Sequence, residues 1–354
     1  VLSRNANDHD ALVGMMRLEL MNGNTAKALE YLQKAADSSG KGERAQVELA
    51  MILMMRNDFK SARESLKKVT DANPKNLQAW SLLAAVTMQL CDATKDKKAV
   101  KALEKELADS ILPSMERVAN NPHDYYVQTT KAFLAMRKGQ DEKSRREARD
   151  AFATAAKSRP DIQATQDLVL GLDISLDDKA EAERHARDVL RRNRDAPLAN
   201  YVMGSLALGK GNYREAESFL RKAVAGPKPN VLALNDFAEV LRRNKSFAEA
   251  ERYARKAVEA APKLYVAWET LGAIIMDAKG NLDEAESCVK KACELSKKNG
   301  HEEDIRMLIS LARVQNLKGD KTHAKISINK VQRRIKELSD FEQKEFEELR
   351  KRVR

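Results

Sequence analysis

The chain has 354 residues, of which 33% are charged and 43% hydrophobic, with only 14 Gly and 8 Pro. That mixture suits long soluble helices and excludes collagen-like, disordered and sheet-rich classes. The net charge is +11, but 64 basic residues are interleaved with 53 acidic ones, which reads as solvated helix faces rather than a nucleic-acid footprint. No run of 18 apolar residues occurs, so no membrane insertion is expected of this segment.

The opening residues, VLSRNANDHDAL, read as the end of one helix and a turn into the next. With no initiator Met they suggest a piece of a longer protein, which leaves localisation open between cytoplasm and a bacterial periplasm or envelope. From there two amphipathic helices recur with a short polar turn between them. Unit one carries Leu12, Met15 and Met16, then Gly23-Asn24, then Ala28, Leu32 and Ala35. Unit two follows 34 residues on, with Leu49, Ala50, Leu53, Phe59, Ala62, Leu66, Val69 and Pro74. Unit three opens at Trp80, Leu83 and Ala84.

The rhythm then breaks. From Ala84 to the matching Thr130 is 46 residues, an insertion of 12 that includes Asp92 to Lys98 and a long helical pattern up to Asn121-Pro122. Pro113 stands inside that pattern and is expected to end or kink a helix. Unit four is six residues too long, with the excess expected near Lys138 to Arg146. After it, Leu170, Gly204, Ala238 and Gly272 stand 34 apart. The last unit, with Leu311-Ala312 and Ala324, follows another six-residue excess around Lys297 to Glu303. Leu338 to Arg354 is one charged helix bearing Phe341, Phe346 and Leu349, expected to cap the last hydrophobic face.

A fixed period of 34 with two helices per period predicts a stack of helical hairpins. The turns Gly23-Asn24, Asn57-Asp58, Gly211-Asn212, Gly280-Asn281 and Gly319-Asp320 end first helices, where Gly or Asn takes the left-handed conformation cheaply. Ala62, Ala216, Ala250 and Ala257 let paired helices approach closely.

Trp268, Leu271, Gly272, Ala285 and Ala292, with Ala250, Ala257 and Pro262, and Ala62 with Pro74, resemble the tetratricopeptide repeat family over nearly the whole chain. The resemblance implies an all-α fold, a right-handed α–α superhelix of about nine helix-turn-helix repeats with a C-terminal capping helix. It divides as residues 1–91 (N-terminal repeats), 92–160 (irregular repeats with the insertion), 161–296 (regular repeats) and 297–354 (last repeat and cap), one continuous solenoid. Departures are the insertion, Glu19 in place of an apolar residue, and Thr130 in place of a small apolar one.

Catalytic chemistry is not legible. The five histidines, His9, His123, His185, His301 and His323, do not pair at metal-ligand spacing, and neither HExxH nor CxxC occurs. Gly209-Lys210-Gly211-Asn212 lies where the repeat needs a turn and lacks the strand a phosphate loop requires. Cys91, Cys288 and Cys293 read as small buried residues; the last two stand about 140° apart on one helix and are poor disulfide partners. No metal, cofactor or enzymatic activity is expected.

In the family's architecture the first helix of each unit lines a concave groove. By that resemblance the inward-facing residues are Val13, Leu20 and Met21, then Val47, Met51, Met54 and Met55, then Ser81, Ala85 and Met88. Methionine adapts to varied apolar partners, though it also fills core gaps. Later units would present Asn235, Glu239, Arg242 and Arg243, then Glu269 and Asp277, then Arg306, Arg313 and Asn316, side chains able to bind a peptide backbone or a carboxylate. The family's pattern for holding an acidic chaperone tail is absent, because Val47, Met51 and Ser81 stand where it needs Lys and Asn. The expected function is a scaffold that takes a protein or peptide partner in the groove. Two alternatives are a bacterial envelope platform binding an anionic polymer and a nucleic-acid-binding helical repeat, to which the runs Arg145-Arg146, Arg191-Arg192, Arg333-Arg334 and Lys351-Arg352 are relevant. A further alternative is self-association through an uncapped face at Val1.

Overall fold

A computed structural model describes residues 8–37, 42–139, 141–300, 305–338 and 340–353; within these, the side chains at 20, 25, 42, 340–342 and 345 are not described. All of the described regular structure is helical. The chain divides into two compact units, Val1–Asp177 and Asp178–Arg354.

The first unit contains α1 (His9–Met21), α2 (Thr25–Asp37), α3 (Gly42–Met55), α4 (Phe59–Ala72), α5 (Leu77–Ala93), α6 (Lys97–Glu106), α7 (Leu112–Ala119), α8 (Tyr125–Lys138), α9 (Glu142–Ser158) and α10 (Gln163–Ser175). The second contains α11 (Lys179–Arg192), α12 (Pro197–Gly209), α13 (Tyr213–Ala223), α14 (Val231–Arg243), α15 (Phe247–Ala260), α16 (Tyr265–Asp277), α17 (Leu282–Lys298), α18 (Ile305–Leu317), α19 (Lys321–Arg333) and α20 (Asp340–Val353). Helical hairpins such as α3–α4, α8–α9, α12–α13, α14–α15 and α16–α17 make the most intimate contacts. Each unit is an α–α solenoid.

One device closes six of the first helices. The backbone N–H groups of Asn24, Asp58, Asn212, Ser246, Gly280 and Asp320 each donate to the carbonyl five residues back, at 2.8–2.9 Å. The residue just before each donor is left-handed: Gly23, Asn57, Gly211, Lys245, Lys279 and Gly319. This is the Schellman closure, which satisfies the orphan carbonyls of a helix end. In the α16–α17 turn the left-handed residue is therefore Lys279, not the expected Gly280. A Cβ on Gly280 would lie 3.1 Å from Ile275 Cγ2 and 3.3 Å from its carbonyl oxygen, so close approach accounts for that glycine. Next, an Asp or Asn side chain caps the second helix: Asp58 accepts from the Ser61 N–H, Asn281 from Asp283 and Glu284, and Asp320 from His323.

A second device ties each hairpin to the one before. Trp80 Nε1 donates to the Pro74 carbonyl and Trp268 Nε1 to the Pro262 carbonyl, both at 2.9 Å. Gln128 does the same to Pro122, and Asn200 to Arg194 at 3.0 Å. All four stand at the same place in their helices, on α5, α16, α8 and α12. The hairpins themselves close on small residues. A Cβ on Gly204 would lie 2.6 Å from Leu220 Cγ, and one on Gly272 2.9 Å from Val289 Cγ2.

The irregular stretch differs from its sequence reading in two ways. Pro113 does not end a helix but stands in the first turn of α7; α6 runs into α7 through a π-helical stretch, Leu107–Ile111, whose last bond is Leu112 N–H to the Leu107 carbonyl. An i→i+5 turn absorbs an extra residue just where proline lacks its own N–H. Ala132, fully buried, rather than Thr130, occupies the small-residue position of α8, at the place Ala84 holds in α5. Most of unit four's extra length goes into α9, which has 17 residues against 14 in α4 and begins at Glu142, within the expected stretch. At the C-terminal end α20 buries Phe346 and Val353 in a cluster with Ile305, Leu308, Ala324 and Ile328. That is the expected cap; the side chain of Phe341 lies outside the described residues.

Candidate partner-binding faces

The first helices of successive repeats touch one another directly, α3 to α5 to α8 in one unit and α12 to α14 to α16 to α18 in the other. Each unit therefore presents a layer of first helices on which side chains of neighbouring repeats lie side by side.

In the first unit the first helices carry exposed large apolar side chains. Met21 is 85% exposed and Met55 84%, with Leu18, Met51, Tyr126, Met136, Leu168 and Ile174 also open to solvent. All eight belong to α1, α3, α8 or α10. On α3 the reason is angular: Met51 and Met55 are four residues apart and share one face, whereas Val47, Ala50 and Met54 share the face that meets α4 and α5. Val47 is consequently buried, in one cluster with Ala50, Leu66 and Leu83, and is removed from the groove-lining set. Met54 and Met88 are half-buried against that cluster and Val13 against its neighbour. Ser81 is buried and Ala85 half-buried. Met21, Met51 and Met55 remain as free apolar side chains; that of Leu20 lies outside the described residues.

In the second unit the same layer is polar and internally matched. Arg242 on α14 donates two bonds to Glu239, at 2.6 and 2.7 Å, and a third to Asp277 on α16. Arg243 Nε reaches Glu239 at 2.7 Å, and Arg313 on α18 pairs with the other oxygen of Asp277. Burial alone would raise Glu239, but the Arg242 and Arg243 guanidiniums outweigh it and hold the carboxyl below its ordinary value. Asp277 is likewise buried yet held low by Arg313 and Arg242, and Arg242 is held charged against burial by Glu239 and Asp277. Glu269 accepts from the Ser310 hydroxyl at 2.6 Å. Glu239, Arg242, Arg243 and Arg313, expected to face a partner, thus satisfy one another across three repeats. Asn235 is 9% exposed, Asn316 half-buried and Arg306 exposed.

A cleft of about 720 Å³ opens beside the π-helical stretch, floored by Ala108, Leu112, Leu134 and Ala151. Its rim charges are paired: Arg137 with Asp92 at 2.9 Å, Lys131 with Glu116 at 2.7 Å and Lys138 with Glu147 at 3.4 Å. Among the described residues no group of three His, Cys, Asp or Glu could hold a metal ion, and no helix is long and apolar enough to cross a membrane. Burial pushes the Cys288 thiol up to about 11.

Sequence reasoning missed Leu18, Tyr126, Met136, Leu168 and Ile174 as exposed apolar residues. The two-residue displacement of α8 hid Tyr126 and Met136. The cross-repeat pairs were detectable, since Asp277 follows Arg242 and Arg313 follows Asp277 by close to one period.

Tetratricopeptide repeat family models match residues 1–86 and, in two overlapping stretches, 174–230 and 201–265. No curated protein sequence matches. Among solved structures the chain is similar to that of the APC/C hetero-tetramer Cut9–Hcn1, at 16% identity and TM-score 0.50, covering 93% of this chain and 59% of that one. It is similar to Pseudomonas aeruginosa PilF at 17% identity and TM-score 0.49, covering 62% of this chain and 92% of that one. A third is PilW, a type IV pilus biogenesis factor, at 20% identity and TM-score 0.45, covering 61% and 95%. At these identities the likeness concerns the fold. The 34-residue hairpins, their shared closures and the family matches in both units agree: the chain belongs to the tetratricopeptide repeat family, whose fold is that of a protein–protein interaction scaffold.

Proposed function

We propose that the chain is a non-catalytic scaffold that holds a segment of a protein partner along its first-helix faces. One observation carries this reading: of the eleven large apolar side chains left open to solvent among the described residues, all but Ile326 stand on first helices. Water-exposed Met, Leu and Ile on first helices gain free energy when an apolar segment covers them. Methionine at the centre suits partners of varied shape.

The anionic-polymer and nucleic-acid readings are weaker, because one residue of each basic run pairs with an acid three or four residues away. Arg146 pairs with Glu142, Arg191 with Asp188, Arg334 with Glu337 and Lys351 with Glu348. The test is selection of random 12-residue peptides displayed on phage against the whole chain. The selected peptides are then bound to wild type and to a variant carrying Met21→Ser, Met51→Ser and Met55→Ser. Loss of roughly tenfold or more in affinity, equivalent to about 1.4 kcal/mol, with the melting curve retained, supports the reading. Undiminished binding by the folded variant, or no selected peptide at all, sinks it.

A further inference from the structure

The first helices α12, α14, α16 and α18 of the second unit carry four carboxylates, Asp236, Glu239, Glu269 and Asp277. Glu239 and Asp277 are neutralised by arginines, and Glu269 accepts from Ser310. Asp236 is different. Its hydrogen-bond partners are neutral: the hydroxyl of Ser205 on α12 and Nδ2 of Asn235 at 3.5 Å. No cation pairs with it among the described residues, and the nearest charge acting on it, Glu239, has its own sign. Burial pushes its carboxyl up to about 6. Tyr201, one turn before Ser205 on α12, lies in the same field, and burial followed by the Asp236 charge pushes its hydroxyl up to about 12.

Beside this carboxylate is a second unmet acceptor. The carboxamide oxygen of Asn235 is buried and has no hydrogen-bond partner. Both unmet groups are acceptors, so the missing complement is a positively charged group rich in N–H. An ammonium or guanidinium supplies both, with three or five donors on one cation. Asp236 is only part-buried, so a side chain laid on the first-helix face can reach it. A fold-only role is better served by asparagine, which would keep the neutral hydrogen bonds without a buried, uncompensated charge.

We propose that Asp236, with Asn235, Ser205 and Tyr201, forms a subsite for a Lys or Arg side chain of the partner segment. This rests on the first-helix binding face proposed above and names the chemistry of what lies on it. Lysine or arginine anchors its head group at Asp236 and leaves its methylenes for the apolar surroundings.

A second panel of 12-residue peptides, selected in the same way against the folded methionine variant so that it does not depend on the first unit's face, supplies the probe. Each basic residue of a selected peptide is replaced in turn by norleucine, and affinities for wild type and Asp236→Asn are measured by fluorescence anisotropy at pH 7.5 and fixed salt. One position is expected to lose about tenfold or more against wild type and less than about twofold against Asp236→Asn. Arginine at that position should restore binding. Asp236→Asn is expected to melt at or above wild type, so a loss of binding is not a loss of fold. An equal norleucine effect in both proteins, or selected peptides without Lys or Arg, overturns the subsite. If the first panel responds to the methionine variant while no peptide of the second panel responds to Asp236→Asn, only the subsite falls. If no peptide is selected, both readings fall.

Discussion

The two units use one backbone surface in opposite ways. In the first, the first helices α1, α3, α8 and α10 carry methionines, leucines, an isoleucine and a tyrosine that are open to solvent. In the second, the first-helix layer is sewn together by Arg242, Asp277 and Arg313 across three repeats. The contrast separates cohesion from recognition. A charge matched inside the fold has little left to give a partner, because displacing it exposes two desolvated groups. An exposed methionine contributes nothing to folding and keeps its whole transfer free energy for binding.

Removing a residue from each layer should show the asymmetry. Asp277→Ala leaves Arg242 and Arg313 facing each other with no carboxylate between them. It should cost about 3 kcal/mol or more, read as a lowered urea midpoint. A fall below about 0.5 kcal/mol would mean that solvent, rather than Asp277, compensates those arginines. The methionine triple variant should stay within about 0.5 kcal/mol of wild type, as surface changes do.

Asp236→Asn should move stability the other way, a gain of up to about 3 kcal/mol at pH 7 from a displacement of this size. The sign follows from the protons bound. Folded Asp236 is pushed up to about 6 from the ordinary value of 3.8, so between those values the folded chain holds more protons than the unfolded one. Its contribution favours the fold fully below about 3.8 and is lost as pH rises through 6. Wild type should therefore gain on Asp236→Asn as pH falls from 7 to 5. The neighbours Glu239, held low, and Tyr201, pushed up to about 12, do not titrate in that window. Parallel curves over that range would show that Asp236 is better solvated than its surroundings indicate.

The smallest effects come from glycines. Gly171→Ala in α10 meets nothing within 4 Å and should stabilise by about 0.5–1 kcal/mol through helix propensity. Gly204→Ala in α12 strikes Leu220 and should lose about 1 kcal/mol net, the overpacking exceeding the same gain. Equal signs for the two in thermal melts would contradict the close approach of α12 and α13.

The hairpins were legible because a repeat states its packing many times over: Ala62, Ala216, Ala250 and Ala285 identify the buried side of each second helix. Closure chemistry was legible for Gly23 or Asn57, but Lys245 and Lys279 adopt the left-handed conformation against their residue type, which no local signal announces. Around Thr130 the register failed because a π-helical turn upstream changes the residue count without changing composition. The faces were half legible. The family resemblance pointed to Met21, Met51 and Met55, but it could not separate Val47 from them, since one angular step decides between core and solvent. Nothing along the chain marks Asp236 as the acid without a counterion, because that depends on which arginines the neighbouring helices deliver.

The four anchors at Trp80, Gln128, Asn200 and Trp268 carry a lesson for detecting such chains. Each lends a side-chain N–H to a carbonyl six residues back, so what is retained is a donor at a fixed reach, not an indole. A profile that scores tryptophan there registers two of these four repeats and passes over the others. One that scores reach and donor capacity registers all four, and this gives divergent hairpins a grammar that survives the loss of their vocabulary.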